Sequence, residues 1–338
     1  MRDDDIKQDI LKLVVGNMLG KTITQADYEL EALQGGTIGT VRLVTGMAES
    51  CDGEILPYQV VWKTQKKFDR YGDPDSWRRE YDLYVSDFNE VFFDSIRLPK
   101  CYYAEMNEDE IQLWMEYVEG TSGLDLTLAM FEKVAEELGR FQGRMYTEQP
   151  HVLQNQANLS KVEFTKNYYL RYRSWNVLYD YIRSDDCDIP MHLCNMLIDF
   201  DDNAEEIFSR IERLPIVLCH RDCWVENIFF SSGTTVLIDW DTAGWGYMGE
   251  DIASLIADEA DIDRMLEYYQ ACVPAYYRGF SEFADVSHIT DHCIDELIVA
   301  MFGYRLVEWY KFAESPEDRS MHLNSLQKIY EIRNLRSV

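Results

Sequence analysis

The stretch Ile216–Asp241, IVLCHRDCWVENIFFSSGTTVLIDWD, decides how this 338-residue chain is read. It holds a His-Arg-Asp triplet at 220–222, an Asn at 227, and a second Asp, Asp239, closing an apolar run. The run Ile216-Val217-Leu218 reads as a short strand that delivers Asp222 into a loop, and Ile228-Phe229-Phe230 reads as a second strand beginning just past Asn227. A turn at Ser231-Ser232-Gly233 leads to Leu237-Ile238 and then Asp239, so Asn227 and Asp239 are expected at the two ends of one hairpin. These residue types at this spacing suit phosphoryl transfer. Asp222 would orient a hydroxyl as the catalytic carboxylate, and Asn227 and Asp239 would hold Mg²⁺. Such a reaction asks the protein for positioned charge and little covalent chemistry. The plainer reading, a polar loop between two core strands, leaves the spacing of the three unexplained.

A triphosphate must also be held. Gly35, Gly36 and Gly39, in QGGTIGT, permit close backbone approach to phosphate oxygens, although a plain hairpin would use the same glycines. No Gly-Lys-Ser/Thr follows, so this is not a Walker A loop. Lys63 ends the apolar run YQVVWK, and Glu80 lies on the helical stretch after it, where it could pair with the ammonium. Alone, each reads as a solvated strand-end lysine and an ordinary helix glutamate. The segment Met115-Glu116-Tyr117-Val118 leads out of the last early strand, where the backbone of Glu116 and Val118 could meet a purine edge. An ordinary crossing between domains would look the same. Asp251, in GEDIA, reads equally as a helix cap or as a brace behind His220 and Arg221.

Composition narrows the partners. With 32 basic and 61 acidic residues the net charge is −29, which argues against nucleic acid or an anionic membrane surface. A cationic small molecule is compatible with that charge, and so is a surface that merely keeps the chain soluble. Apolar residues make up 46% and aromatics 13%, enough for a sizeable core. The eight cysteines show no CxxC pair and no zinc spacing, and Cys219 and Cys223 flank the triplet where a disulfide would distort the loop. A reducing cytoplasm is the expected compartment. The opening MRDDDIKQDI is acidic and no long apolar run follows, so no membrane segment is expected.

Along the chain, a short helix precedes a β-rich region. Strands are expected near 28–33, 41–44, 58–63, 101–106 and 111–117, with a polar hairpin loop over 46–54. Asp75 to Phe88 has helical character, with Trp77, Tyr81, Tyr84 and Phe88 on one face. Glycines at 120 and 123 mark a change, and the domains are set at 1–119 and 120–338. Beyond it Phe131, Val134, Leu138, Phe141 and Met145 form one helical stripe, and helices dominate to the C-terminus apart from the hairpin. Tyr168, Tyr169, Tyr172, Trp175, Tyr179 and Tyr181 could wall an acceptor for a cation through cation–π contact, or simply be core.

The order glycine loop, Lys63, Glu80, connector, His220-Arg221-Asp222, Asn227, Asp239, Asp251 resembles the aminoglycoside phosphotransferase and choline kinase superfamily of the protein-kinase-like fold. The likeness covers roughly residues 28–260. It implies an α+β bilobal fold, with a β-rich N-lobe of five strands and one main helix joined by a hinge to a mostly helical C-lobe. It implies a kinase using ATP or GTP with Mg²⁺ to phosphorylate a hydroxyl of a small molecule, aminoglycoside- or choline-like. Arg221 stands where that superfamily usually has Gly, and the glycine loop is short. A protein kinase is the rival enzyme. Yet Trp240-Asp241 follows Asp239 in place of Phe-Gly, no Ala-Pro-Glu follows, and Trp224 stands where a catalytic-loop lysine would be. Eleven residues between Asp239 and Asp251 are also too few for a peptide-docking segment. A non-catalytic nucleotide-binding module is the rival of another class, and it would be expected to have lost Lys63 or a metal ligand.

Overall fold

The computed structural model describes residues 6–33, 39–69, 73–92, 96–148, 151–156, 158–258, 260–289 and 292–335. The chain opens with α1 (Gln8–Leu19), whose Leu11, Val14 and Val15 share one buried face, and Gly20 ends it in the left-handed region (φ 66°). Then come β1 (Ile23–Ala26), β2 (Glu29–Ala32), β3 (Gly39–Ser50), β4 (Ile55–Lys66), α2 (Arg79–Tyr84), β5 (Ile96–Arg97), β6 (Cys101–Met106) and β7 (Glu110–Glu116). An antiparallel sheet runs β1-β3-β4-β7-β6, with β2 paired to β3. Buried residues of α1 and of the sheet, among them Val44, Tyr58, Val60 and Trp114, form one core.

Four details depart from expectation. The sheet has six strands, because Ile23–Ala26 also pairs with β3, Ile23 against Ser50 and Ala26 against Ala48. The hairpin loop expected over 46–54 shrinks to a turn around Gly53 (φ 83°), since Met47 and Glu49 pair with Pro57 and Ile55. Polarity there reports an exposed strand, whose backbone is satisfied across the ladder. Lys63 is mid-strand, between Val41 and Leu113, because β4 continues to Lys66. The helix expected over 75–88 is α-helical only in α2, between 3₁₀ turns at Ser76–Arg78 and Asp87–Val91. Ser86 breaks it by accepting from the Phe88 N–H through its hydroxyl (3.3 Å).

The remainder is mostly helical. It comprises β8 (Thr121–Ser122), α3 (Leu128–Glu148), α4 (His151–Gln154), α5 (Phe164–Ser174), α6 (Leu178–Tyr181), α7 (Met191–Asp202) and α8 (Ala204–Ile211). Next are β9 (Ile216–Cys219), β10 (Ile228–Ser231), β11 (Thr234–Leu237), β12 (Gly244–Tyr247), α9 (Glu250–Ala257), α10 (Met265–Ser281), α11 (His292–Phe312) and α12 (Pro316–Asn334). The stripe on α3 is buried as expected and packs on α10. Gly139 and Gly279 let those two backbones meet, since a Cβ on either would run into a carbonyl of the other helix. Leu83, Phe88, Val91 and Ile96 precede position 119 in the chain yet pack into this second core, and β5 pairs in parallel with β11. Of the tyrosines expected either as core or as an acceptor wall, Tyr169 is core, while Tyr168, Tyr172, Tyr179 and Tyr181 are half-buried and Trp175 is 49% exposed. The architecture is α+β, a curled sheet followed by a helical part. No helix among the described residues is long and apolar enough to cross a membrane.

Candidate functional site

The hairpin builds one side of the site. Ile228 pairs with Leu237 and Ser231 with Thr234, and the turn uses Ser232 (φ 52°) and Gly233 (φ 84°), the positive pair of a type I′ hairpin. Its open end carries Asn227 and, two residues past β11, Asp239. The Ile238 N–H donates to Asn227 O (3.0 Å), which holds the two ends together. Asp239 itself is left-handed (φ 62°), a conformation Asp tolerates through its short polar side chain.

The loop after β9 supplies Asp222. The Asn227 amide donates through Nδ2 to Asp222 O (2.9 Å) and Oδ2 (2.8 Å), which turns the Asn227 Oδ1 to the opposite side. Behind the loop, both Asp251 carboxylate oxygens accept backbone N–H groups, Oδ2 from His220 and Oδ1 from Arg221, each at 2.8 Å. Gly249 occupies the cap position of α9, so Asp251 acts as the brace. Burial pushes the Asp251 carboxyl up, opposed by His220 and by those two N–H donors. Burial also lowers His220, whose Nε2 faces Ile238 O (2.8 Å) and whose Nδ1 faces the Asp222 N–H (3.3 Å). A carbonyl can only accept, so the ring is neutral with its proton on Nε2.

Lys63 reaches this site from β4. Its Nζ lies 2.5 Å from Glu80 Oε2 and 2.7 Å from Asp239 Oδ1. Burial works against the ammonium, but Asp239 and Glu80 together hold its pKa above the ordinary lysine value. Burial raises Glu80, which Lys63 pulls back down. The second Glu80 oxygen accepts from the Trp240 N–H (3.4 Å), so α2 is tied to the residue after Asp239.

The residues singled out from sequence thus fall into contact in two groups, Lys63–Glu80–Asp239 and Asp222–Asn227, joined through Ile238. Gly35 and Gly36 lie outside the described residues. Gly39 opens β3 two residues before Val41, the cross-strand neighbour of Lys63. The Glu116 carboxylate pairs with both Arg97 Nη atoms (2.8 Å each), and its N–H donates to Lys100 O (2.8 Å). Its amide is therefore engaged. Val118 is buried. All eight cysteines are free thiols, and burial pushes those of Cys219 and Cys223 up.

Arg221 and Gln142 carry roles that the sequence did not suggest. Arg221 is left-handed (φ 67°), a conformation that costs a residue with a Cβ on the order of 1 kcal/mol. Its guanidinium is buried against Glu250 (3.3 Å), Ser160 Oγ (2.6 Å), Lys161 O (2.9 Å) and Trp245 O, over the Phe164 ring at 4.6 Å. Five contacts offset a strain that Gly would have avoided. Gln142, on α3, donates to Asp251 Oδ2 (2.8 Å) and Leu218 O (3.2 Å) and accepts from the Tyr276 hydroxyl. Its place in the core stripe helix hid it.

The candidate site is thus a lysine–glutamate pair on a hairpin Asp, beside an Asp–Asn pair, in a fold of a curled sheet followed by a helical part. The chain belongs to the APH phosphotransferase enzyme family, whose sequence model matches residues 92–283, more than half of it. No curated protein sequence matches it. Among solved structures it is similar to the amicoumacin kinase hAmiN in complex with AMP-PNP, Ca²⁺ and Ami. That pair is 14% identical, covers 89% of this chain and 88% of the other, and has a TM-score of 0.55. The choline kinase from Cryptosporidium parvum Iowa II is 14% identical over 91% of each chain, with a TM-score of 0.56. A microcompartment-associated aminopropanol kinase is 15% identical over 97% of this chain and 98% of its own, with a TM-score of 0.54. At such identities the likeness speaks for the fold.

Proposed function

We propose that this protein moves the γ-phosphoryl group of ATP to a hydroxyl of a small molecule in the cytoplasm, with residues 1–119 serving the nucleotide and 120–338 the acceptor. The single observation that carries this reading is the joint position of Lys63 and Asn227. Lys63 is held by Glu80 and Asp239, and Asn227 is held by Asp222, at the two ends of one hairpin. Asp222 orients the acceptor hydroxyl and takes its proton as the oxygen attacks in line. Lys63 contacts the phosphates and Glu80 fixes its ammonium. Among the glycines singled out from sequence, the described Gly39 serves the phosphates, and Glu116 and Val118 offer backbone groups to the base. Asn227 and Asp239 fit Mg²⁺, because Asn227 Oδ1 and the Asp239 carboxylate are the hard oxygen donors that ion takes. When bound there it offsets charge on the phosphates. ATP is preferred to GTP because a structural neighbour is complexed with AMP-PNP. Kinases of amino alcohols among the neighbours favour a small and cationic acceptor.

The test is a coupled ADP-release screen with ATP and Mg²⁺ across aminoglycosides, choline, ethanolamine, aminopropanol, homoserine and sugars. Turnover on at least one, with a phosphorylated product seen by mass spectrometry and roughly two or more orders of magnitude less for Asp222→Asn, is the expected result. Nucleotide binding without transfer to any acceptor would identify a binding module. Transfer to generic protein alone would identify a protein kinase.

A further inference from the structure

Two arginines each stand immediately before a proposed catalytic-site residue, Arg79 before Glu80 and Arg221 before Asp222. Both are buried, and both grip the same short segment, residues 158–161. From α2, Arg79 Nε donates to Asn158 O, Nη1 to Asp241 O (2.8 Å) and Nη2 to Asp73. Asn158 returns the contact, its Nδ2 donating to Asp82 Oδ2 (2.8 Å) and Asp75 O (3.1 Å). From the catalytic loop, Arg221 Nη1 donates to Ser160 Oγ and Nη2 to Lys161 O. Between the two grips the segment is anchored to the strand after Asp239. Ser160 N–H donates to Ala243 O (3.0 Å), and Trp245 N–H donates to Ser160 O (3.0 Å). A Cβ on Gly244 would run into Ser160, so that contact allows no slack.

We infer that residues 158–161 form a strut, clamped at one end by Arg79 and at the other by Arg221, that holds the helix bearing Glu80 and the loop bearing Asp222 at one separation. Both arginines are then positioning residues. The planar guanidinium presents several N–H groups in a fixed fork, so each arginine can hold two or three separated oxygens at once. A lysine in the same place concentrates its donors at one point and cannot span them. Moving either end by a fraction of an ångström shifts Lys63 against Asp222 and thus the phosphate against the attacking oxygen. The catalytic consequence rests on the function proposed above; the mechanical coupling does not.

The test uses hydrogen–deuterium exchange by mass spectrometry on the full chain carrying Arg79→Lys, Arg221→Lys or the milder Ser160→Ala. Arg79→Lys should raise uptake in the 219–228 peptide, none of whose residues Arg79 touches. Arg221→Lys should raise uptake in 76–84, and Ser160→Ala should raise both, with α12 unchanged in every case. Once an acceptor is in hand, each Arg→Lys variant should lose about tenfold or more in kcat with its nucleotide KM nearly unchanged. The double variant should lose less than the product of the two. Exchange confined to each substitution's own neighbours, with Ser160→Ala matching wild type, overturns the strut. So do losses in kcat that simply multiply. A wild-type chain that phosphorylates no acceptor overturns the proposed function, and the exchange still judges the strut.

Discussion

Lys63 Nζ and Asp239 Oδ1 sit 2.7 Å apart although 176 positions separate them in the chain. That contact joins the sheet to the β10–β11 hairpin, and Glu80 completes it from α2. A buried cation between two carboxylates is stable only while all three are present.

Lys63→Met leaves Glu80 and Asp239 facing each other without the ammonium. We expect it to lower unfolding stability by about 3 kcal/mol, the scale for removing one partner of a buried pair. Adding Glu80→Gln should restore part of that loss. Urea denaturation of the single and double variants measures it. An unmoved midpoint in Lys63→Met would mean that the pair is solvated.

Asp222→Asn keeps the shape of the loop and removes the proposed base. Turnover should fall by roughly two or more orders of magnitude, the scale for general-base catalysis. Calorimetric titration with AMP-PNP and Mg²⁺ should still show nucleotide binding. Near-normal kcat in this variant would remove Asp222 from its role.

Asp251→Ala strips the acceptors from two buried N–H groups, those of His220 and Arg221. A loss of about 1–3 kcal/mol is expected, since a buried donor left unmade costs its full desolvation. Thermal unfolding reads the stability, and kcat should fall with it because the loop no longer holds Asp222. A variant that melts normally would return Asp251 to the rank of an ordinary helix residue.

His220 is held neutral, its folded pKa below the ordinary value of 6.5. A depressed value means that the unfolded chain binds the proton first. The contribution of His220 is therefore intact above pH 6.5 and is lost as pH falls from there towards the folded value, by at most about 1.4 kcal/mol per pH unit. His220→Gln keeps a donor towards Ile238 and cannot titrate. Between pH 7.5 and 5.5 wild type should lose stability relative to that variant, and parallel pH curves would count against a neutral buried ring.

Much of this was legible in the residues alone. The hairpin was readable because a period-two apolar pattern and a turn with Gly at a positive φ are local signals, and Asn227 and Asp239 simply flank it. Lys63 was found by order along the chain, although its strand runs three residues further than its apolar stretch, because β4 has neighbours on both edges. The sixth strand was harder, since Ile23–Ala26 is only four residues long and its pairing with β3 shifts register between Ile23 and Gln25.

Chain chemistry by itself determined that the candidates Lys63, Glu80, Asp222, Asn227 and Asp239 are present, and in what order. Residue type and spacing are local properties. Only the tertiary structure decided that Arg221 can stand in a left-handed loop, that Asp251 braces it from behind, and that Arg79 reaches the same segment from the opposite side. Those partners lie between 30 and 79 positions apart. Nothing in the residues between them records the meeting, which is set by how the helices and the hairpin pack.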